Sequence, residues 1–144
     1  MTQKTEPSTE PAAPKGLRIG RIKDTPTGDY EARHPLTGEP MGAVFTLRGP
    51  EHPQRKAVMH RLMREARERA GAAPKPADPA EDEAEMLALL ADNIVGWTHV
   101  YDEHGEPLPY SAAAATELVN DPEQQWLVEQ LIAATRRREL FIKA

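Results

Sequence analysis

Five histidines have the widest chemical repertoire in this sequence, because histidine can ligate metals and transfer protons near neutral pH. No two of them are four residues apart, the helical spacing by which a histidine pair binds zinc. Residues 102–106, Asp-Glu-His-Gly-Glu, do hold metal-ligand types, but this composition is typical of a solvated turn. The sequence therefore predicts no metal site. The histidines are His34, His52, His60, His99 and His104.

Nucleophilic catalysis needs an activated serine or cysteine beside a base. The sequence contains no cysteine, which excludes thiolate catalysis, disulfides and iron–sulfur ligation. Ser111 lacks Gly-x-Ser-x-Gly surroundings, and helix capping explains a serine before an alanine run. Residues 16–23 combine glycines with basic side chains but have no phosphate-loop spacing. We therefore expect a protein that is not an enzyme and uses no cofactor.

Charge is distributed unevenly along a chain whose net charge is −5. Residues 51–70 carry six basic and three acidic side chains, whereas residues 77–120 carry ten acidic side chains and no Lys or Arg. The two segments could dock on each other or on neighbouring copies, or form two solvated faces. The basic segment is the best candidate for binding nucleic acid, but it lacks interleaved aromatic residues and any complete DNA-binding motif, so a nucleic-acid partner is the less favoured interpretation.

The elements that position these residues are a β-hairpin and several helices. Alternating apolar and polar residues over 42–48, after a turn-rich segment, predict a hairpin whose first strand is Tyr30–His34. Residues 17–23 are a candidate third strand, although Ile22 is out of phase. Apolar residues at three- and four-residue spacing and capping residues predict helices over 53–70, 80–94, 111–120 and from 121 toward Phe141.

These elements predict an α+β fold that is mainly α, with an N-terminal β-hairpin packed with a helix and then a helical C-terminal half. Proline-rich composition predicts a disordered arm over residues 1–16 and a linker over 71–80. One small domain is expected over 17–144, made of a hairpin plus helix (17–70) and a helical part (81–144). Without an eighteen-residue apolar run or a secretory signal, we expect no membrane partner and a cytoplasmic location.

Apolar and aromatic side chains are the remaining candidates for function. Such side chains often anchor protein partners, and they also build cores, so both interpretations stay open. An open hairpin edge could also pair with another chain by strand addition. The candidate partner-binding residues are Phe45, Leu47, Trp97, Tyr101, Pro109, Tyr110 and Trp126.

Four segments resemble tail assembly chaperones of long-tailed bacteriophages and prophages. They are HPLTGEPMG (34–42), FTLRGP (45–50), ADNIVGW (91–97) and GEPLPYS (105–111). As in that family, a Leu-Pro-Tyr-Ser segment opens a helix rich in alanine and leucine, and a terminal helix bearing a tryptophan follows. The positions that match the family motif are Trp97, Gly105, Pro107, Tyr110 and Ser111, for which a structural role is equally open.

The resemblance implies a non-enzymatic protein of the host cytoplasm. Such a protein binds the tape measure protein, keeps it soluble, recruits tail tube subunits and can self-associate. Two other functions stay open at this point. One is a structural or tail-completion protein of the phage tail. The other is a small nucleic-acid-binding regulator that uses the basic helix 53–70.

Overall fold

The computed structural model describes residues 15–72, 76 and 78–144. The predicted arm over 1–16 therefore lies almost wholly outside the described residues, as do four of the ten residues of the predicted linker. The chain order is β1 (Lys23–Asp24), β2 (Thr27–Arg33), β3 (Pro40–Arg48), α1 (Pro53–Gly71), α2 (Pro79–Asn93), β4 (Ile94–Thr98), α3 (Ala112–Asn120), α4 (Gln125–Thr135) and β5 (Ile142–Lys143). Short 3-10 helices occupy Pro122–Gln124 and Arg138–Phe141.

The main sheet has three antiparallel strands in the order β2-β3-β4. Its register places Tyr30 beside Phe45, and Phe45 beside Trp97. The predicted hairpin is confirmed, with a first strand that begins three residues earlier, at Thr27. Instead of residues 17–23 adding a strand to this hairpin, the two-residue strand β1 pairs with β5.

The prediction of a mainly α fold was wrong. Over the residues that the structure describes, helix and strand contents are 48% and 21%, so the α+β fold is roughly balanced. The C-terminal half contributes β4, which joins the hairpin, and β5. Strand β4 was not predicted because its pairing register with β3 shifts between Thr46 and Leu47. Such a bulge places two residues opposite one, so Ile94 and Trp97 are both buried despite their three-residue spacing.

The predicted packing of the hairpin with the helix that follows it was also wrong. Helix α1 has no buried residue along its nineteen described positions. Helix α4 packs against β2 instead, through both ends of the Gln130 amide. The Gln130 Oε1 atom accepts hydrogen bonds from the Tyr30 hydroxyl (3.1 Å) and the Arg33 amide (3.0 Å), and Nε2 donates to the Arg33 carbonyl (2.8 Å).

Local capping explains where the helices begin. The Asp78 carboxylate accepts from the Ala80 amide at 3.0 Å, and the Ser111 hydroxyl accepts from the Ala114 amide at 3.0 Å. Asp121 caps the 3-10 helix that leads into α4. These predicted starts are therefore confirmed. The last helix ends at Thr135, earlier than predicted, and the following 3-10 helix carries Phe141 into the core.

The core lies between one face of the main sheet and helices α2, α3 and α4. Its largest fully buried side chains are Phe45, Phe141, Leu47, Ile94, Leu131 and Val119. The backbone of Gly28 packs directly against the C-terminal 3-10 helix, so a Cβ atom at this position would clash with the Leu140 carbonyl. Among the described helices, none is long and apolar enough to cross a membrane.

Candidate protein-binding surface

Three of the predicted partner-binding residues lie in the core. Phe45 and Leu47 are fully buried, and the exposed fraction of Trp97 is 8%. The Phe45 and Trp97 rings meet edge to face, with centroids 5.8 Å apart. The Trp97 Nε1 atom donates to the Leu108 carbonyl at 2.8 Å, so the indole ties β4 to the segment before α3.

The other predicted residues range from half-buried to exposed. Tyr110 stacks edge to face on Trp97 at 5.2 Å, and its hydroxyl donates to the Ile94 carbonyl at 2.8 Å. Trp126 is half-buried beside the core, whereas Pro109 and Tyr101 are exposed, Tyr101 by 53%. The structure thus brings Phe45, Trp97 and Tyr110 into one aromatic cluster and leaves the rest apart. Partner contact by any of them stays a prediction.

The Asp-Glu-His-Gly-Glu segment forms an exposed turn, as predicted. The Asp102 Oδ1 atom accepts from the amides of His104 and Glu106, both at 2.9 Å, which satisfies that oxygen within the loop. Gly105 has a φ of 80°, a conformation that favours glycine. In the part of the chain that the structure describes, no three His, Asp or Glu side chains are grouped to hold a metal ion.

A different surface, between α1 and α2, exposes apolar side chains. Leu62 of α1 and Leu89 of α2 lie between two grooves and line both of them. The more apolar groove, of about 210 Å³, is also lined by Met59, Met86 and, from α4, Ile132. We call the set Met59, Leu62, Met63, Met86 and Leu89 the α1–α2 surface.

Methionine dominates the α1–α2 surface. Met59, Met63 and Met86 have exposed fractions of 47%, 55% and 41%. Methionine side chains are flexible and polarizable, so they suit binding surfaces that must adapt to several contacts. Sequence reasoning placed these residues on the apolar faces of two helices and missed them as site residues. One feature of the sequence could have identified them as site residues: three of the five methionines lie on these two helices.

Opposite charges line the two helices without meeting. Helix α2 carries five carboxylates and no basic side chain, while α1 carries six basic side chains and two acidic ones. Arg61 pairs with Glu65 of its own helix, at 3.8 Å. Within residues 15–72 and 78–144, no ion pair joins α1 to α2.

Helix α1 is anchored at its first turns. The Glu51 carboxylate pairs with Lys56 of α1 and, at 3.3 Å, with Arg138 near the C-terminus. The hydrogen bond and charge of Lys56, and then those of Arg138, lower the pKa of Glu51. Arg55 donates to the Arg48 carbonyl at 2.9 Å, and burial lowers its pKa. These contacts fix the start of α1 and leave its second half uncovered by the described residues.

Comparison with protein families gives a match. A family model described as YdaY prophage protein matches residues 51–144, which include all four α-helices and β4. The match thus covers the α1–α2 surface and excludes the β2–β3 hairpin. Comparisons with curated proteins and with solved structures give no match for this chain.

Proposed function

We propose that this chain, which belongs to the YdaY prophage protein family, is a tail assembly chaperone of a prophage. In this role it binds the tape measure protein and recruits tail tube subunits in the host cytoplasm. It acts by reversible binding and catalyses no reaction. The observation that carries the proposal is the exposed, methionine-rich α1–α2 surface.

A chaperone that keeps another chain soluble needs an apolar surface that is open before the partner arrives. Large exposed apolar patches on a folded protein mark such interaction sites. Here Met59, Met63 and Met86 are each more than two-fifths exposed, on helices joined to a packed core. Since no α1 residue is buried, a partner can cover this helix without displacing a core side chain.

Charged side chains next to the apolar surface orient the partner that binds there. Arg61 of α1 and Glu85 of α2 line one groove, and Arg55 of α1 lines the other. Complementary charges speed encounter and fix orientation more than they add affinity. The proposed partner segment is therefore apolar and carries acidic residues on the side that faces α1.

Co-expression with the tape measure protein of the same prophage tests the proposal. The wild-type chain is expected to raise the soluble fraction of that protein, and the double variant Met59→Glu/Met86→Glu is expected to lose most of this effect. Met41→Glu is the matched control, because Met41 has the same exposed fraction as Met59 (47%) and lies on β3. If the wild-type chain gave no gain in solubility, the proposal would fail.

A nucleic-acid-binding regulator remains the second candidate, because Arg64, Arg67 and Arg69 of α1 are exposed. Three other basic side chains of α1 are less available: Lys56 and Arg61 are ion-paired, and Arg55 is half-buried. A mobility-shift experiment at low salt separates the two functions. A shift that weakens steeply as salt rises would favour the regulator, whereas no shift at low salt would remove it.

A further inference from the structure

The groove of about 210 Å³ between α1, α2 and the end of α4 is basic as well as apolar. Its charged lining residues are Arg55 of α1 and Arg136, which directly follows α4. Among the described residues, no carboxylate lines this groove, whereas Glu85 and Asp92 line the other groove beside Arg61. The two grooves therefore differ in the sign of their charge.

Neither arginine of this groove is neutralised within the described part of the chain. The Arg55 guanidinium donates to the Arg48 carbonyl at 2.9 Å but forms no ion pair, and Arg136 forms none either. Burial lowers the pKa of Arg55, because its positive charge is partly removed from water. A bound anion would offset this cost, so the groove favours a ligand with a negative charge.

A buried amide lines the same groove. Asn93, the last residue of α2, has an exposed fraction of only 8%. Its side-chain amide forms no hydrogen bond with any residue that the structure describes. An amide presents a donor and an acceptor side by side, and leaving both unpaired in a buried position is costly. The groove therefore suits a ligand that supplies both a donor and an acceptor.

We propose that this groove captures the C-terminus of the client, with Arg55 and Arg136 holding the terminal carboxylate and Asn93 binding the last peptide group. The inference rests on the proposed function and specifies which part of the client is bound. A C-terminal residue carries a carboxylate, a backbone N–H and a side chain on a single Cα atom. One residue thus supplies the anion for the arginines, a donor for the Asn93 Oδ1 atom and an apolar group for the groove. Capture of a terminal carboxylate is a recurring mode of peptide recognition.

An acidic side chain within the client fits the groove less well. Its carboxylate offers acceptors alone, so the Asn93 Oδ1 atom would stay unpaired. The apolar side chains of such a segment also lie on other residues than the carboxylate, whereas Met59, Met86 and Ile132 line the same small groove as the arginines. A terminal residue with a large apolar side chain satisfies both parts of the groove at once.

Peptide binding with a free and a blocked carboxylate tests this capture. The probe is a fluorescein-labelled peptide with the last residues of the tape measure protein of the same prophage, made as the free acid and as the C-terminal amide. Fluorescence anisotropy with the full chain is expected to show at least about tenfold tighter binding of the free acid, since the amide loses the charge-assisted hydrogen bonds. Equal affinity of the two forms, or no binding of either, would overturn the inference.

Replacing one arginine tests where the carboxylate is held. Arg136→Gln is expected to reduce the preference for the free acid by about fivefold or more. Arg137→Gln is the matched control, because Arg137 is the next residue, is equally exposed and does not line the groove. An arginine with a merely structural role would change the affinity for both peptides alike, so an unchanged preference in Arg136→Gln would contradict the assignment. Circular dichroism checks that both variants keep the fold.

Failure of this inference and failure of the proposed function are distinguishable. If the free acid and the amide bind alike while co-expression still raises the soluble fraction of the tape measure protein, the C-terminal capture is wrong and the chaperone function stands. If co-expression gives no gain, the proposed function fails whatever the peptides show.

Discussion

Helices α1 and α4 are both amphipathic, yet only one of them is used to build the core. Helix α4 has eleven residues and buries four of them, Leu127, Val128, Leu131 and Ala134. Helix α1 has nineteen residues and buries none. Both helices show the apolar spacing expected of a core-facing element. The difference lies in the charged residues that accompany the spacing.

Charge density decides which helix is buried. Between Gln125 and Thr135 the only charged side chain is Glu129, whereas α1 carries eight. Two of these, Arg55 and Arg69, fall on the apolar side of α1 by helical spacing. Burying that side would desolvate their guanidinium groups, which is costly without paired carboxylates. Helix α1 therefore keeps Met59 and Met63 exposed.

The largest expected effect on the free energy of unfolding comes from truncating a leucine of α4, and the matching truncation in α1 gives the comparison. Leu131 is fully buried, so Leu131→Ala is expected to lower the free energy of unfolding by about 2 to 5 kcal/mol. Leu62 is half-buried at the α1–α2 surface, so Leu62→Ala is expected to cost less than about 1 kcal/mol. Urea denaturation measures both values. Equal losses would show that α1 belongs to the core after all.

Two glycines of the main sheet, Gly28 and Gly96, differ in how closely other parts of the chain approach them. Gly28→Ala would push a Cβ atom into the Leu140 carbonyl and to 2.9 Å from the Phe141 ring, so we expect a loss of about 1 to 3 kcal/mol. Gly96→Ala meets only the Thr46 Cβ atom, at 4.0 Å, and is expected to stay within about 0.5 kcal/mol of wild type. The thermal melting temperatures of both variants check this. A tolerated alanine at position 28 would contradict the close packing of β2 on the 3-10 helix.

Local signals in the sequence predicted the hairpin and the helix starts. Asp78 and Ser111 cap helices through contacts with residues two or three positions away, so neighbouring residues alone determine where these helices begin. Strand β4 could not be predicted in this way, because the bulge in its pairing breaks the two-residue period and its partners on β3 lie about fifty residues earlier. The balance of helix and strand was therefore misjudged.

The candidate surface was the part least visible in the sequence. The aromatic residues Phe45 and Trp97 attracted a functional interpretation, but they fill the core because they sit opposite each other across β3 and β4. Spacing alone placed Met59 and Met63 on the apolar face of a helix. Spacing identifies a face, but whether the same chain covers that face depends on tertiary contacts that no local pattern encodes.

Removing one hydroxyl from each of two tyrosines gives a smaller effect. Tyr110→Phe loses the hydrogen bond to the Ile94 carbonyl, so a loss of about 1 kcal/mol is expected. Tyr101→Phe alters an exposed side chain and is expected to change the free energy of unfolding by less than about 0.5 kcal/mol. Urea denaturation compares the two. If Tyr110→Phe matched Tyr101→Phe, the aromatic cluster would not depend on this hydrogen bond.

The smallest expected effect concerns the ion pairs that join α1 to the rest of the chain. Lys56 and Arg138 favour the charged form of Glu51 and lower its pKa below the ordinary value of 4.5. A carboxylate with a lowered pKa stabilises the fold above its unfolded pKa, and this contribution is lost as the pH falls through its folded pKa. Glu51→Gln is therefore expected to lower the melting temperature slightly at neutral pH.

The difference from wild type should shrink as the pH falls below about 4.5, since protonation then removes the same charge from the wild-type chain. Glu117→Gln is the matched control, because Glu117 is exposed on α3 and has no ion pair among the described residues. Melting temperatures between about pH 3 and 7 measure both variants. A Glu51→Gln difference that stayed constant with pH would mean that the pairs with Lys56 and Arg138 do not stabilise the start of α1, and that the helix is held there by its backbone contacts alone.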